Sequence, residues 1–409
     1  MKPVLALALV LVAGAAVSAA EAKTLTVKAG PNAQERVQTA LLDAKPGDVV
    51  ALGAGRFELT DGLSLDINNV TVRGAGQDKT ILSYSGQMGG AEGLLITSDG
   101  VTIRDLTVEN AKGDGIKAKG SDRISFISVT VAWTGGPKST NGAYGVYPVS
   151  STNVLIDRVT VRGASDAGIY VGQSKNIILK RSRAEFNVAG IEIENSMNAD
   201  VFDNVSTHNA GGILIFDLPN LPQQGGLAHR IYRNKVIDND TKNFAPKGNI
   251  VAGVPTGTGV MIMANKNVHI FENEISGNQT AGVMVVAFNN EIKDANYEAL
   301  PIDIVVRNNQ FGKNGWAPDF VGGPEISKSI GGPLPPVVWD GAASFMRQGV
   351  KISHPLNVNF KDGPVLNLRL PGAGQTLLAN PQVTPTVEGT PVAEPKAVVL
   401  PAAQAKLAP

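Results

Sequence analysis

The chain has 409 residues, with 46 Gly, 24 Pro and no Cys, and its 36 Lys+Arg balance 36 Asp+Glu. Zero net charge argues against a nucleic-acid binder, which needs a basic surface to neutralise phosphates. Without Cys there is no disulfide framework, thiolate metal site or covalent haem attachment, so stability must come from packing and backbone ladders.

Residues 1–22 read as a signal peptide: Lys2 is a short positive start, residues 4–17 are apolar, and small residues allow cleavage after Ala19 or Ala22. The apolar run is too short for a good spanning helix, and no later stretch could span a bilayer. These features predict a periplasmic or secreted protein with no membrane span after cleavage. Residues 33–44, AQERVQTALLDA, then predict a short amphipathic helix with Val37, Leu41 and Leu42 on one side, stopped by Lys45-Pro46-Gly47. An open solenoid needs such a cap.

A repeat of about 22 residues follows. Gly-aliphatic steps occur at Gly115, Gly145, Gly168, Gly190, Gly212, Gly259 and Gly282, with spacings of 30, 23, 22, 22, 47 and 23. The two long spacings place insertions at 133–142 and 217–257. Each step is preceded by an Asn-aliphatic strand signature, starting at Asn153, Asn176, Asn198 and Asn267. Short strands that alternate with period 2, with no helices between them, can coil so that each rung bonds the rungs above and below. The predicted fold is all-β: a single-stranded right-handed parallel β-helix with an N-terminal capping helix, over 23–321. The many Asn tolerate left-handed backbone and, stacked rung over rung, predict an amide ladder at a turn, with Asn187, Asn209, Asn278, Asn204, Asn234, Asn273 and Asn308 at such corners. Residues 322–371 lose the periodicity and read as an extension that folds back or caps. Residues 372–409 are Ala/Pro-rich and read as a disordered tail.

In each strand after a Gly, alternate side chains face outward. The outward column begins with Lys117, Lys119, Tyr147, Tyr170, Glu192 and Glu194, a charged and aromatic set suited to a groove for an extended polysaccharide. It continues with Leu214, Phe216, Met261, Met263 and Met284, a stripe that needs a cover, which the 217–257 insertion could supply, or else a partner. Glu192 and Glu194 share one strand face and could act together or bind a cation. With four His and no H-E-x-x-H, a zinc site is not indicated, and no other metal or cofactor is. There is no G-x-S-x-G, P-loop or dinucleotide fingerprint.

The stretch YGVYPVSSTNVLIDRVTVRGASDAGIYV resembles the active-site region of mannuronan C5-epimerases, whose strand carries Tyr-Gly-aliphatic-Asp-Pro-His. Tyr144, Gly145, Val146 and Pro148 match. Tyr147 stands where the family has Asp, and Val149 where it has His. The resemblance implies that Tyr144, with Lys117 one rung earlier, could serve a uronate lyase or epimerase, although the missing Asp and His remove other parts of that machinery. As a whole the chain resembles exported β-helix repeat proteins of unassigned activity, which implies an envelope partner such as a c-type cytochrome. Three functions therefore compete. The leading one is polysaccharide binding in the Lys117–Glu194 groove with weak or absent catalysis. The others are a lyase or epimerase using Tyr144 and Lys117 on a uronic-acid polymer, and a docking module for an envelope protein.

Overall fold

Each predicted rung becomes three strands separated by corners. In one rung these are Ala167–Gly172, Lys175–Lys180 and Arg183–Glu185; in the next they are Ala189–Glu194, Met197–Phe202 and Val205–Thr207. The first strand of each rung forms face one, the second face two and the short third face three. The result, in a computed structural model that describes residues 22–89, 92–290, 292–354, 357–370 and 381–408, is a right-handed parallel β-helix. Nearly all strand pairs are parallel, rung on rung. The expected signal peptide lies outside the described residues, apart from Ala22. No helix among the described residues is long and apolar enough to cross a membrane.

Register is the property that matters for function. On face one Ile169, Ile191, Ile213, Val260 and Val283 stack inward, and Tyr170, Glu192, Leu214, Met261 and Met284 stack outward. The 47-residue spacing between Gly212 and Gly259 leaves this register intact, because the single insertion expected over 217–257 is two corner loops, 217–226 and 238–257, separated by the regular strands Leu227–Tyr232 and Lys235–Ile237. The inward aliphatic column is fully buried. Each rung alone buries little, so the column exists only as a stack.

Polar order inside the coil comes from two amide ladders. Asn187, Asn209, Asn239, Asn278 and Asn314 pass hydrogen bonds from side chain to side chain at 2.9–3.1 Å. Asn204, Asn234, Asn273 and Asn309 do the same at 2.9–3.0 Å and end on Asp362. Each amide also binds backbone groups, so buried corners are left satisfied. The expectation that ladder Asn are themselves left-handed is corrected. At the corner between faces two and three the left-handed residue is Arg158, Arg181, Asp203, Arg233, Glu272 or Asn308, with φ between 51° and 57°. The residue that follows turns inward, and so Asn309 rather than Asn308 joins the ladder.

The N-terminal helix, Ala33–Asp43, buries Ala33, Val37 and Leu41, while Leu42 is exposed, contrary to the helical side expected. Its Gln38 side chain accepts from Ser64 N at 2.9 Å and donates to Ser64 O at 3.0 Å, and Gln34, one turn earlier, bonds Asp61 N and Gly62 O. Two glutamines thus cover the open edge of the first face-one strand, Leu63–Leu65.

At the other end the coil runs past residue 321. Val337–Trp339 and Val365–Asn367 continue face one, Val358–Phe360 continues face two, and an antiparallel strand, Gln382–Thr384, closes the edge. Long insertions hide this periodicity in the sequence. The part of the expected disordered tail that is described, 381–408, is placed: Gln382–Thr384 is that edge strand of face one, and residues 394–408 pack along face two. Glu394 bridges Arg230 (2.9 Å) and Arg307 (2.6 Å), Leu400 is buried in a cluster with Ile127 and Leu155, and Gln404 donates to Ile124 O and Asn153 O. Low hydrophobicity misled here because the tail needs no core of its own when the coil supplies one.

Asn209→Ala should cost about 3 kcal/mol, since it leaves several buried donors and acceptors unpaired. Asn198→Ala, removing one exposed outer bond to Asn176, should cost about 0.5 kcal/mol or less. Denaturant titration of both variants measures the contrast.

Candidate active site

Face one places the outward residues of four consecutive rungs side by side. Tyr147 pairs in register with Lys117, and Tyr170 with Glu192. Small residues at Ala167, Gly172 and Ala189 leave room for rings. A Cβ at Gly172 would lie 2.4 Å from the Tyr170 ring. Tyr144, Tyr147 and Tyr170 therefore cluster, with ring centroids 4.5, 4.5 and 4.9 Å apart. Lys117 lies 4.8 Å from the centre of the Tyr147 ring. Its ammonium also pairs with Glu92 at 3.1 Å and Asp114 at 3.3 Å. Lys119 sits on the exposed edge.

Next to the tyrosines lies a cavity of about 530 Å³, floored by Asp166, Glu192 and Glu194 and bordered by Tyr144. Its walls come from the two corner loops of one rung, 217–226 and 238–257. Leu218, Pro219, Asn220 and Leu221 form one side; Gly248, Asn249, Ile250 and Val251 form another; Phe288 closes the far end. Asn249 donates to Asp166 at 2.8 Å, tying that wall to the floor. Asn195, directly after Glu194, holds the opposite wall by bonds to Leu218 N and O and to Gln223 O. Asp217 receives Gly225 N and Gly226 N, and Tyr297 donates to the Asp217 carbonyl at 2.6 Å.

The three floor carboxyls are buried. Burial raises Glu192 well above the usual carboxylate range, with Glu194 and Asp166 adding repulsion. Glu194 is pushed up to about 7 by burial, against the 2.6 Å bond it receives from the Tyr170 hydroxyl. Burial raises Asp166 to about 6 although Asn249 bonds it. Neighbouring Asp217 is raised to about 6 by burial as well. Glu192 Oε2 has no hydrogen-bond partner. Such a set holds protons near neutral pH and can both give and take them. Among the described residues no group of His, Cys, Asp and Glu is arranged to hold a metal ion.

The sequence-predicted residues divide into two sets. Tyr144, Tyr147, Tyr170, Glu192 and Glu194 come together. Lys117 stands one rung away beside Tyr147, paired with Glu92 and Asp114, while Tyr144 borders the carboxyl cavity. Burial and the carboxyls around Tyr144 push its hydroxyl far up, holding it protonated as a donor. The Met/Leu/Phe stripe is covered. Leu214, Phe216, Met261, Met263 and Met284 form a second core with Val251, Val254, Phe288, Tyr297 and Phe345, which leaves no apolar stripe for a partner there. Asp166, Asp217 and Asn249 were not singled out from the sequence. A signal for Asp166 existed. In equivalent positions before the Gly step the other rungs carry Val188, Ala210 and Thr280, and a charge in that column is out of place.

Residues 92–240 match the family model for a right handed beta helix region. The fold is thereby confirmed as a right-handed β-helix. Similar solved structures include a polygalacturonase from Erwinia carotovora ssp. carotovora, 14% identical with a TM-score of 0.50, covering 84% of this chain and 96% of that one. A mannuronan C-5 epimerase A-module from Azotobacter vinelandii is 14% identical with a TM-score of 0.46, covering 77% of this chain and 90% of that one. An alginate lyase from Paenibacillus sp. is 17% identical with a TM-score of 0.40, covering 72% and 96%. At these identities the likeness establishes the β-helix and nothing finer. A search of curated proteins finds no match.

The raised carboxyls make the β-helix sensitive to alkali. An acid whose pKa is higher folded than unfolded binds the extra proton in the native state, so stability is full below about pH 4 and falls as pH rises through the folded values of about 6 to about 7. Glu192→Gln should match the wild type near pH 5 and exceed it near pH 8 by about 1 kcal/mol or more. Thermal melts across pH measure this; equal offsets at both pH values would show that Glu192 is not held protonated.

Proposed function

We propose that the Asp166–Glu192–Glu194 cavity binds a neutral glycan and hydrolyses it by general acid–base catalysis. The observation that carries this reading is the buried Glu192, whose raised pKa keeps a proton at the cavity floor on a carboxyl with an unpartnered oxygen. Two or more carboxyls in differing environments are the equipment of glycosidic hydrolysis. In the proposed step Glu192 donates its proton to the glycosidic oxygen as the bond from that oxygen to the anomeric carbon breaks. Water forms the new bond to that carbon and gives its proton to ionised Asp166. Solvent exchange then restores both carboxyls. Tyr144, held protonated at the cavity border, stands beside that base, and the half-buried rings of Tyr144 and Tyr147 offer surface to sugar rings.

A neutral substrate is favoured over a uronic-acid polymer because no Lys or Arg lines the cavity. A uronate carboxylate brought beside Asp166, Glu192 and Glu194 would meet only like charge, and Lys117 is already matched by Glu92 and Asp114. Export to the periplasm or beyond, expected from residues 1–22, belongs to the same proposal and would place the site where polysaccharide is met.

Reducing-sugar release from neutral glucans, xylans and mannans tests the reading. Glu192→Gln and Asp166→Asn should each lower kcat/KM by about 10²-fold or more. The wild-type rate should fall above about pH 7, as the cluster loses its protons. Full turnover by Glu192→Gln would overturn the assignment, as would unsaturated products from a uronate polymer.

A further inference from the structure

We infer that the cavity takes the end of a glycan chain, so that the protein removes terminal sugars rather than cutting within the polymer. This rests on the hydrolytic reading above and adds the mode of attack.

A polysaccharide lying along face one would follow the outward rows from rung to rung. On the N-terminal side the row is reachable: Lys119 is exposed, and Lys117, Tyr144 and Tyr147 are half-buried, with Tyr144 bordering the cavity; Tyr170 is buried behind Tyr144 and Tyr147. At the Glu192–Glu194 rung the path stops. The next outward positions in register are Leu214 and Phe216, then Met261 and Met263, and all four lie in the second core with Val251, Val254, Phe288, Tyr297 and Leu300. A chain has no floor to continue on.

Sideways escape is also closed. At the upstream end of the strand the 248–251 wall is tied to the floor through Asn249 and Asp166. At the downstream end the 218–221 wall is tied through Asn195, which both donates to and accepts from Leu218. Phe288, packed edge-on against Tyr297 at 5.5 Å, closes the far end. The carboxyls therefore stand in a blind pocket with its mouth toward the tyrosines. An endo-acting site needs binding surface on both sides of the scissile bond; here the row on the tyrosine side is reachable, and the other side is limited to the cavity of about 530 Å³. That volume lies within the range of small-ligand sites and suits a chain terminus.

The test uses the full chain with long oligosaccharides of neutral β-glucan, xylan and mannan. Each is offered free, tethered through its reducing end, and tethered through its non-reducing end. One tether should leave turnover intact and the other should lower it about tenfold or more. The free polymer should release mono- or disaccharides from the outset with little loss of viscosity. Equal turnover of both tethered forms, or an early collapse of viscosity, would overturn chain-end attack and leave the acid–base reading standing. If no form of any of these glycans is turned over, the acid–base reading falls and this inference falls with it. A variant with residues 219–221 replaced by a Gly-Gly link, which touches no floor carboxyl, gives a second measurement. Opening that wall should let both tethered forms react, and an unchanged preference would overturn the role given to the wall.

Discussion

Everything in this molecule depends on one constraint: each rung must sit in register on the one below. Parallel backbone hydrogen bonds alone would tolerate a slip, but a slip of one residue would drive the outward row into the core. The two buried amide ladders oppose this. An Asn in the wrong place loses both its amide partner and its backbone partners, in a setting where unpaired polar groups are costly. Insertions can then be long without disturbing the stack, because loop-closure entropy grows slowly with length. The loops 217–226 and 238–257 leave from two corners of one rung, whose strands stay in register and still pair Leu214 with Met261.

The same register produces the acidic floor. Glu192 and Glu194 share a strand face by the two-residue period, and Asp166 joins them from the corner one rung earlier. Burying three carboxyls together opposes folding unless they keep protons, and their raised pKa values express that cost. The stack absorbs the cost because its aliphatic column and ladders extend far beyond the site. A cluster of this kind belongs on a rigid scaffold, where neither neighbour can move to relieve the repulsion.

The fold was legible because its signals recur. Gly-aliphatic steps at about 22 residues and Asn-aliphatic starts state the period, the strand alternation and the outward column without a structure. Tyr144, Tyr147, Tyr170, Glu192 and Glu194 fall in that column and do converge. Three kinds of feature escaped. Asp166 sits at a corner, outside the strand pattern, so only a comparison of equivalent positions across rungs exposes it. Asn249 and Leu218 lie in insertions, where no period says which residue returns to the floor. The C-terminal segment was misread because composition reports whether a segment can build its own core, and Leu400 and Gln404 use one already built by Ile127, Leu155 and the strand edges.

The apolar half of face one acquires a role beyond packing. Leu214, Phe216, Met261 and Met263 pack with residues of the two loops that wall the carboxyl cavity, and they occupy the two rows that follow Glu192 and Glu194. They therefore do two things with one set of contacts. They end the groove, and they remove water from one side of the floor carboxyls, which lowers the local dielectric and helps keep protons on them. Were the stripe polar, the loops would have nothing to bind, the groove would run on past Glu194, and the carboxyls would relax toward ordinary solvated acids. The change from charged and aromatic to apolar residues along a single outward column is thus the feature that turns an open β-helix face into a closed, proton-holding pocket.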